Sequence, residues 1–260
     1  MRLRPGPATL WFVRHGESEG NVARDAAQAR GLHEVVLPVR DSDVPLSALG
    51  RRQAEAFGRW LAGLPPQQRP TSVVVSPYER ARRTAALLQD AAGRALPVRR
   101  REVDERLRDR EIGIWDGLTW AGIRARFPHE AERALRVGRY YHRPPGGESW
   151  ADVMLRLRSL FADLADDGWA AERALLVSHD LTIQLARAVI EGVHEPEVVR
   201  LVSATRYANC ALSAFEADGA RYRRTAYNLV VPGAPATNEP VAEPATAGPP
   251  VGREPPVGRA

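Results

Sequence analysis

The chain has 260 residues, 44% of them hydrophobic and 27% charged, with a formal net charge of +5. That balance fits a globular protein with a sizeable core and excludes a collagen-like or wholly disordered chain. One cysteine, Cys210, excludes an internal disulfide and a cysteine-based metal cluster. All 37 basic residues are arginine, interspersed with 32 acids. The excess therefore points to acidic ligands, which arginine binds bidentately, rather than to a nucleic-acid surface.

The apolar run behind Arg2 and Arg4 is only about six residues, short of a signal-peptide core or a membrane span, so a cytoplasmic protein is expected. Thr9 to Val13 is continuous and apolar and predicts a buried strand ending on Arg14-His15-Gly16. Helical periodicity runs from about Glu19 to Ala29, and Gly31 to Pro45 reads as a loop. Ser47 is placed to cap a helix reaching Leu61, with Ala54, Phe57 and Leu61 on one face.

Thr71 to Ser76 predicts a second buried strand, and Pro77 the first turn of the next helix. A short strand is expected at Val98 to Val103, with helices at Thr119 to Phe127 and Ser149 to Ala165. Ala174 to Ser178 predicts a third buried strand, followed by a helix from Leu181 to Ile190. Two late strands, Ala208 to Glu216 and Arg221 to Tyr227, are joined by a turn at Asp218-Gly219. Strands alternating with helices predict an α/β fold, a three-layer α/β/α sandwich with a mainly parallel sheet. The ordered domain is expected to span residues 1–231. The eight prolines from Pro232 onward, with few large apolar side chains, predict a disordered tail over 232–260.

Ligands of open α/β sheets bind at the carboxyl ends of the strands. Here those ends deliver Arg14-His15, then Ser76 leading to Arg80, then His179-Asp180. Helices start just beyond each, so their free N–H groups point the same way. Two histidines and two arginines among helix N-termini suit an anion with several oxygens, and phosphate fits best.

The segments VRHGESEGN, SPYERARRTA, PPGGES and LLVSHD, in that order, resemble the histidine phosphatase superfamily, which includes the cofactor-dependent phosphoglycerate mutases. The likeness covers roughly Leu10 to Phe215. It implies a phosphoglycerate-mutase-like fold and a metal-independent phosphomonoester hydrolase that needs no cofactor and takes a small phosphate ester. The resemblance makes His15 the nucleophile that carries the phosphoryl group. It makes Arg14, Arg80 and His179 the clamp on the phosphoryl oxygens, with Asn21 donating from the first helical turn.

Unprotonated attack requires the second ring nitrogen of His15 to be held by an acceptor, and a backbone carbonyl is expected. For the general acid, the family pattern aligned on Leu107 and Gly113 points to Asp109, where the family usually has the longer glutamate. Glu105 is the alternative. Asp180 stands where many members have glycine and is expected to cap the following helix. Glu148, Arg143 and Tyr141 are further candidates: Glu148 as the holder of a clamp arginine, the other two at the pocket mouth.

A mutase of the same superfamily would begin with the same chemistry. The cap segments, Gly31 to Pro45 and Ile123 to Pro145, would separate the two. The substrate-binding lysines of the glycolytic mutases have no counterpart here, which favours a phosphatase. Non-catalytic binding members also exist, but the chain retains His15, Arg14, Arg80 and His179. Neither nucleic acid nor a membrane is an expected partner, and a homodimer is left open.

Overall fold

The computed structural model describes residues 5–236, apart from residue 167. Most of the expected tail, from residue 237 on, therefore lies outside the described residues. The first strand, β1 (Thr9–Arg14), runs through the middle of a six-stranded sheet. Its parallel neighbour β4 (Arg173–Ser178) pairs Arg14 with Ser178. Beyond it lie β2 (Ser72–Val75), parallel to β4 with Val75 opposite Val177, and β3 (Arg100–Val103), parallel to β2. On the other side β5 (Leu212–Asp218) runs antiparallel to β1, and β6 (Arg221–Leu229) antiparallel to β5. The order is β3-β2-β4-β1-β5-β6, four parallel strands and an antiparallel hairpin.

The continuous apolar runs become strands because both faces of the sheet are covered. Leu10, Phe12, Val74 and Leu176 face α6 (Trp150–Leu164) and α7 (Asp180–Glu191). Val13, Val73, Leu175 and Val177 face α2 (Ala48–Gly63) and α3 (Glu79–Ala92). This is the expected three-layer sandwich. Phe12 is fully buried and meets Phe161 and Phe215 edge to face, at centroid distances of 6.3 and 6.0 Å. Aromatic pairs favour that geometry.

The helix after β1, α1 (Glu19–Ala29), starts on a capping box: Ser18 Oγ accepts from Asn21 N–H, and Asn21 Oδ1 accepts from Ser18 N–H. Ser47 caps α2 as expected, its Oγ accepting from Gly50 N–H at 3.0 Å. Two short helices, α4 (Trp120–Arg126) and α5 (Pro128–Val137), lie between β3 and α6, and α8 (Glu195–Ala204) follows α7. The sequence reading left α5 and α8 unassigned. Each opens with a proline at its first or second position, and each buries a single residue fully, Ala131 in α5 and Val198 in α8.

Two boundaries need correction. Residue Pro77 lies outside α3, which starts at Glu79 with Tyr78 as N-cap. More important for the site, the strand expected from Ala208 begins only at Leu212. Residues 208–211 turn instead, with Cys210 at φ 53°. Ala211 O and Cys210 N–H bond to Arg14 and His15 at the end of β1, beyond the paired register of β5 that ends at Val13–Leu212.

Gly16 shows why the loop after β1 tolerates no side chain. A Cβ there would stand 2.4 Å from the Gly50 carbonyl oxygen, and one on Gly50 would stand 1.9 Å from the Glu17 oxygen. The loop and the start of α2 touch backbone to backbone. Real Cβ contacts are never that close, so the strain of Gly16→Ala is that of overpacking. Gly16→Ala should lower the unfolding free energy by about 1–3 kcal/mol, read from urea denaturation. An unchanged midpoint would show that the loop shifts without cost.

Candidate active site

The parallel register brings the three strand ends level. His15 follows β1, and its N–H donates to Ser178 O at 3.0 Å. Ser76 follows β2, its N–H donating to Val177 O at 3.0 Å. His179 follows β4 and caps α7. His15 and His179 are both buried, with ring centroids 5.1 Å apart and planes inclined at 59°.

His15 Nδ1 lies 2.7 Å from Gly16 O. A carbonyl oxygen can only accept, so Nδ1 carries the proton and Nε2 keeps its lone pair. This is the backbone acceptor the sequence led us to expect. Burial first, then Arg80, His179 and Arg14, hold the His15 pKa well below its usual value. Burial, with Arg80 and Arg14 next, does the same at His179. Both rings are thus neutral at ordinary pH.

His179 Nε2 lies 2.8 Å from Ser76 Oγ. Ser76 Oγ also accepts from Tyr78 N–H at 3.3 Å, leaving the hydroxyl proton available for Nε2. With Nε2 accepting, the proton sits on Nδ1, which faces Asp109 Oδ2 at 3.5 Å and meets no hydrogen-bond partner among the described residues. Ser76 is therefore a site residue that sequence reasoning had treated only as a strand end.

Both arginines are buried and held by acceptors. Arg14 donates to Tyr207 O and lies 4.0 Å from Asp180 Oδ2. Arg80 binds three oxygens of Asp41: the carbonyl at 2.6 Å, Oδ1 at 3.1 Å and Oδ2 at 3.2 Å. It also donates to Asp109 Oδ2 at 3.2 Å, and its guanidinium lies 4.9 Å from the Tyr78 ring centroid. Burial opposes its charge, but Asp109 and Asp41 outweigh burial and raise the guanidinium pKa. Asp41 was not a sequence candidate. It lies in the 3-10 turn Asp41–Asp43 of the long loop after α1, where no periodicity marks it.

Asp109 is thus gathered with His15, His179, Arg14 and Arg80, and Glu105 is not. Glu105 is exposed on a 3-10 turn and shares no described side-chain bond with the cluster. Asn21 sits at the edge of the cluster: its Oδ1 accepts from Ser18 N–H and from Asn209 Nδ2 at 3.3 Å. Asp180 does not cap α7, since it is the first helical residue and His179 is the cap. It accepts from Gln184 Nε2 at 2.6 Å, and burial pushes its carboxyl pKa up against the opposing pull of Arg14.

Glu148 holds arginines, as expected, but not those of the clamp. It accepts from Arg108 at 2.7 Å and from Arg156 Nε at 3.0 Å. Arg156 in turn donates to the Asp109 carbonyl at 3.2 Å, so Glu148 supports the loop that carries Asp109. Arg143 needs correction: it is exposed and paired with the Asp152 carboxylate at the start of α6, away from the cluster. Tyr141 is also exposed and packs on Tyr140. Among the described residues no group of three or more His, Cys, Asp or Glu side chains is arranged to hold a metal ion.

A model of the histidine phosphatase superfamily (branch 1) matches residues 10–230. The chain belongs to that superfamily. It is 37% identical over 155 residues to a glucosyl-3-phosphoglycerate phosphatase of Mycobacterium tuberculosis, covering 60% of this chain and 59% of that protein. The chain thus spans about three-fifths of that relative's length. A 2,3-bisphosphoglycerate-dependent phosphoglycerate mutase of Methylobacterium radiotolerans is 32% identical over 193 residues, 73% of this chain and 82% of that one. The solved structure of a mycobacterial glucosyl-3-phosphoglycerate phosphatase complexed with VO3 superposes with a TM-score of 0.64 at 28% identity, over 85% of this chain and 99% of that chain.

The two neutral histidines have a consequence for stability. Unfolded histidines take a proton near 6.5, and the folded ones do not until lower pH. The unfolded state then binds more protons, so stability is full above 6.5 and is lost as pH falls towards the folded values. Each ring adds a slope of up to about 1.4 kcal/mol per pH unit in that window. His142, stacked on Trp115, adds to it with the same sign. Urea midpoints should fall from about pH 7 to about pH 5, and the double variant His15→Gln, His179→Gln should have a shallower fall. An equal slope in that variant would place the protons elsewhere.

Proposed function

We propose that the protein is a metal-independent phosphomonoester hydrolase that acts through a phosphohistidine at His15 on a small phosphorylated metabolite. The observation that carries this reading is the His15 ring itself. It is buried between two guanidinium groups, with Nδ1–H on Gly16 O and the Nε2 lone pair left over. Among the described residues this neutral imidazole has no ion-pair partner and no hydrogen bond at Nε2, which suits a nucleophile.

In the first step His15 Nε2 forms a bond to phosphorus as the bond to the ester oxygen breaks. Arg14, Arg80, Asn21 and the His179 Nδ1–H hold the other three oxygens, whose charge grows in the transition state. The Ser76 hydroxyl keeps that proton on His179 Nδ1 by donating to Nε2. The entering phosphate competes with Asp109 for Arg80. Asp109, now beside an anion, takes up a proton and passes it to the leaving oxygen. In the second step a water oxygen bonds to phosphorus and the N–P bond breaks. Asp109 accepts the water's proton, and inorganic phosphate leaves.

The phosphatase named among the relatives supports hydrolysis, and the absence of lysine from the whole chain supports it further. A transferase reading is favoured by the mutase match over 82% of that relative's length. Transfer of the phosphoryl group to an added phosphoglycerate, rather than to water, would select it.

Turnover of an aryl phosphate should persist in excess EDTA. Asp109→Asn should slow an alkyl phosphate by about 100-fold or more. The deficit should shrink for a nitrophenyl ester, whose leaving group needs no proton. If EDTA abolishes turnover, or if Glu105→Gln is the crippled variant, the mechanism above is wrong.

A further inference from the structure

Four polar groups of the turn 206–211 go to the strand end that carries His15: Tyr207 O, Asn209 Nδ2, Cys210 N–H and Ala211 O. Tyr207 O accepts from the Arg14 guanidinium. Cys210 N–H donates to Arg14 O at 3.1 Å and reaches His15 O at 3.4 Å, and Arg14 N–H donates to Ala211 O at 3.3 Å. The turn is itself pinned. Asn228 Oδ1 accepts from Ala208 N–H at 2.8 Å, and Asn228 Nδ2 donates to Arg206 O at 3.1 Å. Cys210 holds a left-handed φ of 53°, a conformation that costs energy for a side chain of that kind.

At its centre lies Asn209, which is 3% exposed. Its Nδ2 donates to His15 O at 3.0 Å and to Asn21 Oδ1 at 3.3 Å. The His15 carbonyl can only accept, so the orientation of the Asn209 amide is set by the nucleophile's own backbone. Asn21 is oriented in turn. Its Oδ1 takes both the Ser18 N–H and the Asn209 amide, so its Nδ2, with two donors, is turned away from both. Asn209 Oδ1, however, is buried with no hydrogen-bond partner among the described residues. An unpaired buried acceptor is destabilising, and in a native protein it asks for an explanation. An asparagine selected for stability alone would have both ends satisfied.

We propose that Asn209 is a positioning residue for phosphate binding: it locks the Asn21 side-chain amide with its N–H groups towards the substrate phosphate and ties that amide to the His15 carbonyl. The role rests on the reading of His15 as nucleophile and Asn21 as phosphate donor. It explains why a buried amide with one orphaned end is kept here.

The test is a double-variant cycle on the full chain, reading kcat and KM for an aryl phosphate and the inhibition constant of inorganic phosphate. Asn21→Ala should weaken phosphate binding about 10-fold, the scale of one hydrogen bond to a charged group. Asn209→Ala should weaken it comparably, and the double variant should be within about 2-fold of Asn21→Ala alone, because both act through one amide. The isosteric Asn209→Asp should be worse than Asn209→Ala. It sets an acceptor against His15 O and draws the Asn21 N–H groups inward. That variant keeps the test in force if the smaller side chain unfolds the turn.

Single effects that multiply in the double variant would overturn the positioning role. So would an Asn209→Ala protein of lowered melting temperature with phosphate inhibition unchanged. A wild-type chain that neither turns over the ester nor binds phosphate would overturn the phosphatase reading itself, and this role with it.

Discussion

A buried imidazole flanked by two guanidinium groups stays a base only if its proton is fixed on the far nitrogen, and the structure is arranged around that requirement. The Gly16 carbonyl takes the Nδ1 proton of His15. To offer that carbonyl, the chain must turn sharply at the end of β1, and the turn must pack against α2 without a side chain between them. The turn is then stitched on every side. His15 N–H goes to β4, its carbonyl to Asn209, and Gly16 N–H to Thr84 of α3 at 3.0 Å. Helices α2 and α3 of one face, strand β4 and the turn before the hairpin thus converge on two residues. Burial excludes water, and without water the electrostatics of the cluster are strong enough to keep both rings neutral.

The same burial makes the arginines costly unless carboxylates accompany them. Asp41, Asp109 and Asp180 fill that role around Arg80 and Arg14. They are not equivalent. Asp41 grips Arg80 through three oxygens, whereas Asp109 offers one, at 3.2 Å, from a loop held by Arg156 and Glu148. In the proposed reaction the weaker tie is the one that an incoming phosphate breaks. The group released is the one that must then carry a proton. Position on Arg80 and role in acid–base chemistry are two aspects of one contact.

Much of this was legible in the sequence because it depends on strand ends. Apolar runs at Thr9, Thr71 and Ala174 identify parallel buried strands, and whatever follows such strands gathers at one edge of the sheet. That reasoning brought His15, Ser76 and His179 together and carried Arg14 and Arg80 with them. The resemblance to the family pattern, aligned on Leu107 and Gly113, is what favoured Asp109 over Glu105. What could not be read depends on contacts between distant segments. Asp41 is an ordinary loop acid until the fold brings it to Arg80. The residues from Ala208 read as strand because alanine and leucine continue past Asn209. Only the bonds to Arg14 and His15, nearly two hundred positions away, show that the backbone turns there. Arg143 and Tyr141 were drawn in by nearness to a family segment, and a carboxylate at the α6 start claims the first of them.

The central claim is that His15 carries the phosphoryl group on Nε2, and the most direct measurement is to trap it. The protein would be mixed with substrate in EDTA, quenched at alkaline pH in the millisecond range and mapped by mass spectrometry and 31P NMR. The account predicts one phosphohistidine, at His15, bonded through Nε2 and released as inorganic phosphate at the rate of turnover. Steady turnover with no such species, or with the phosphoryl group on another residue, would contradict it.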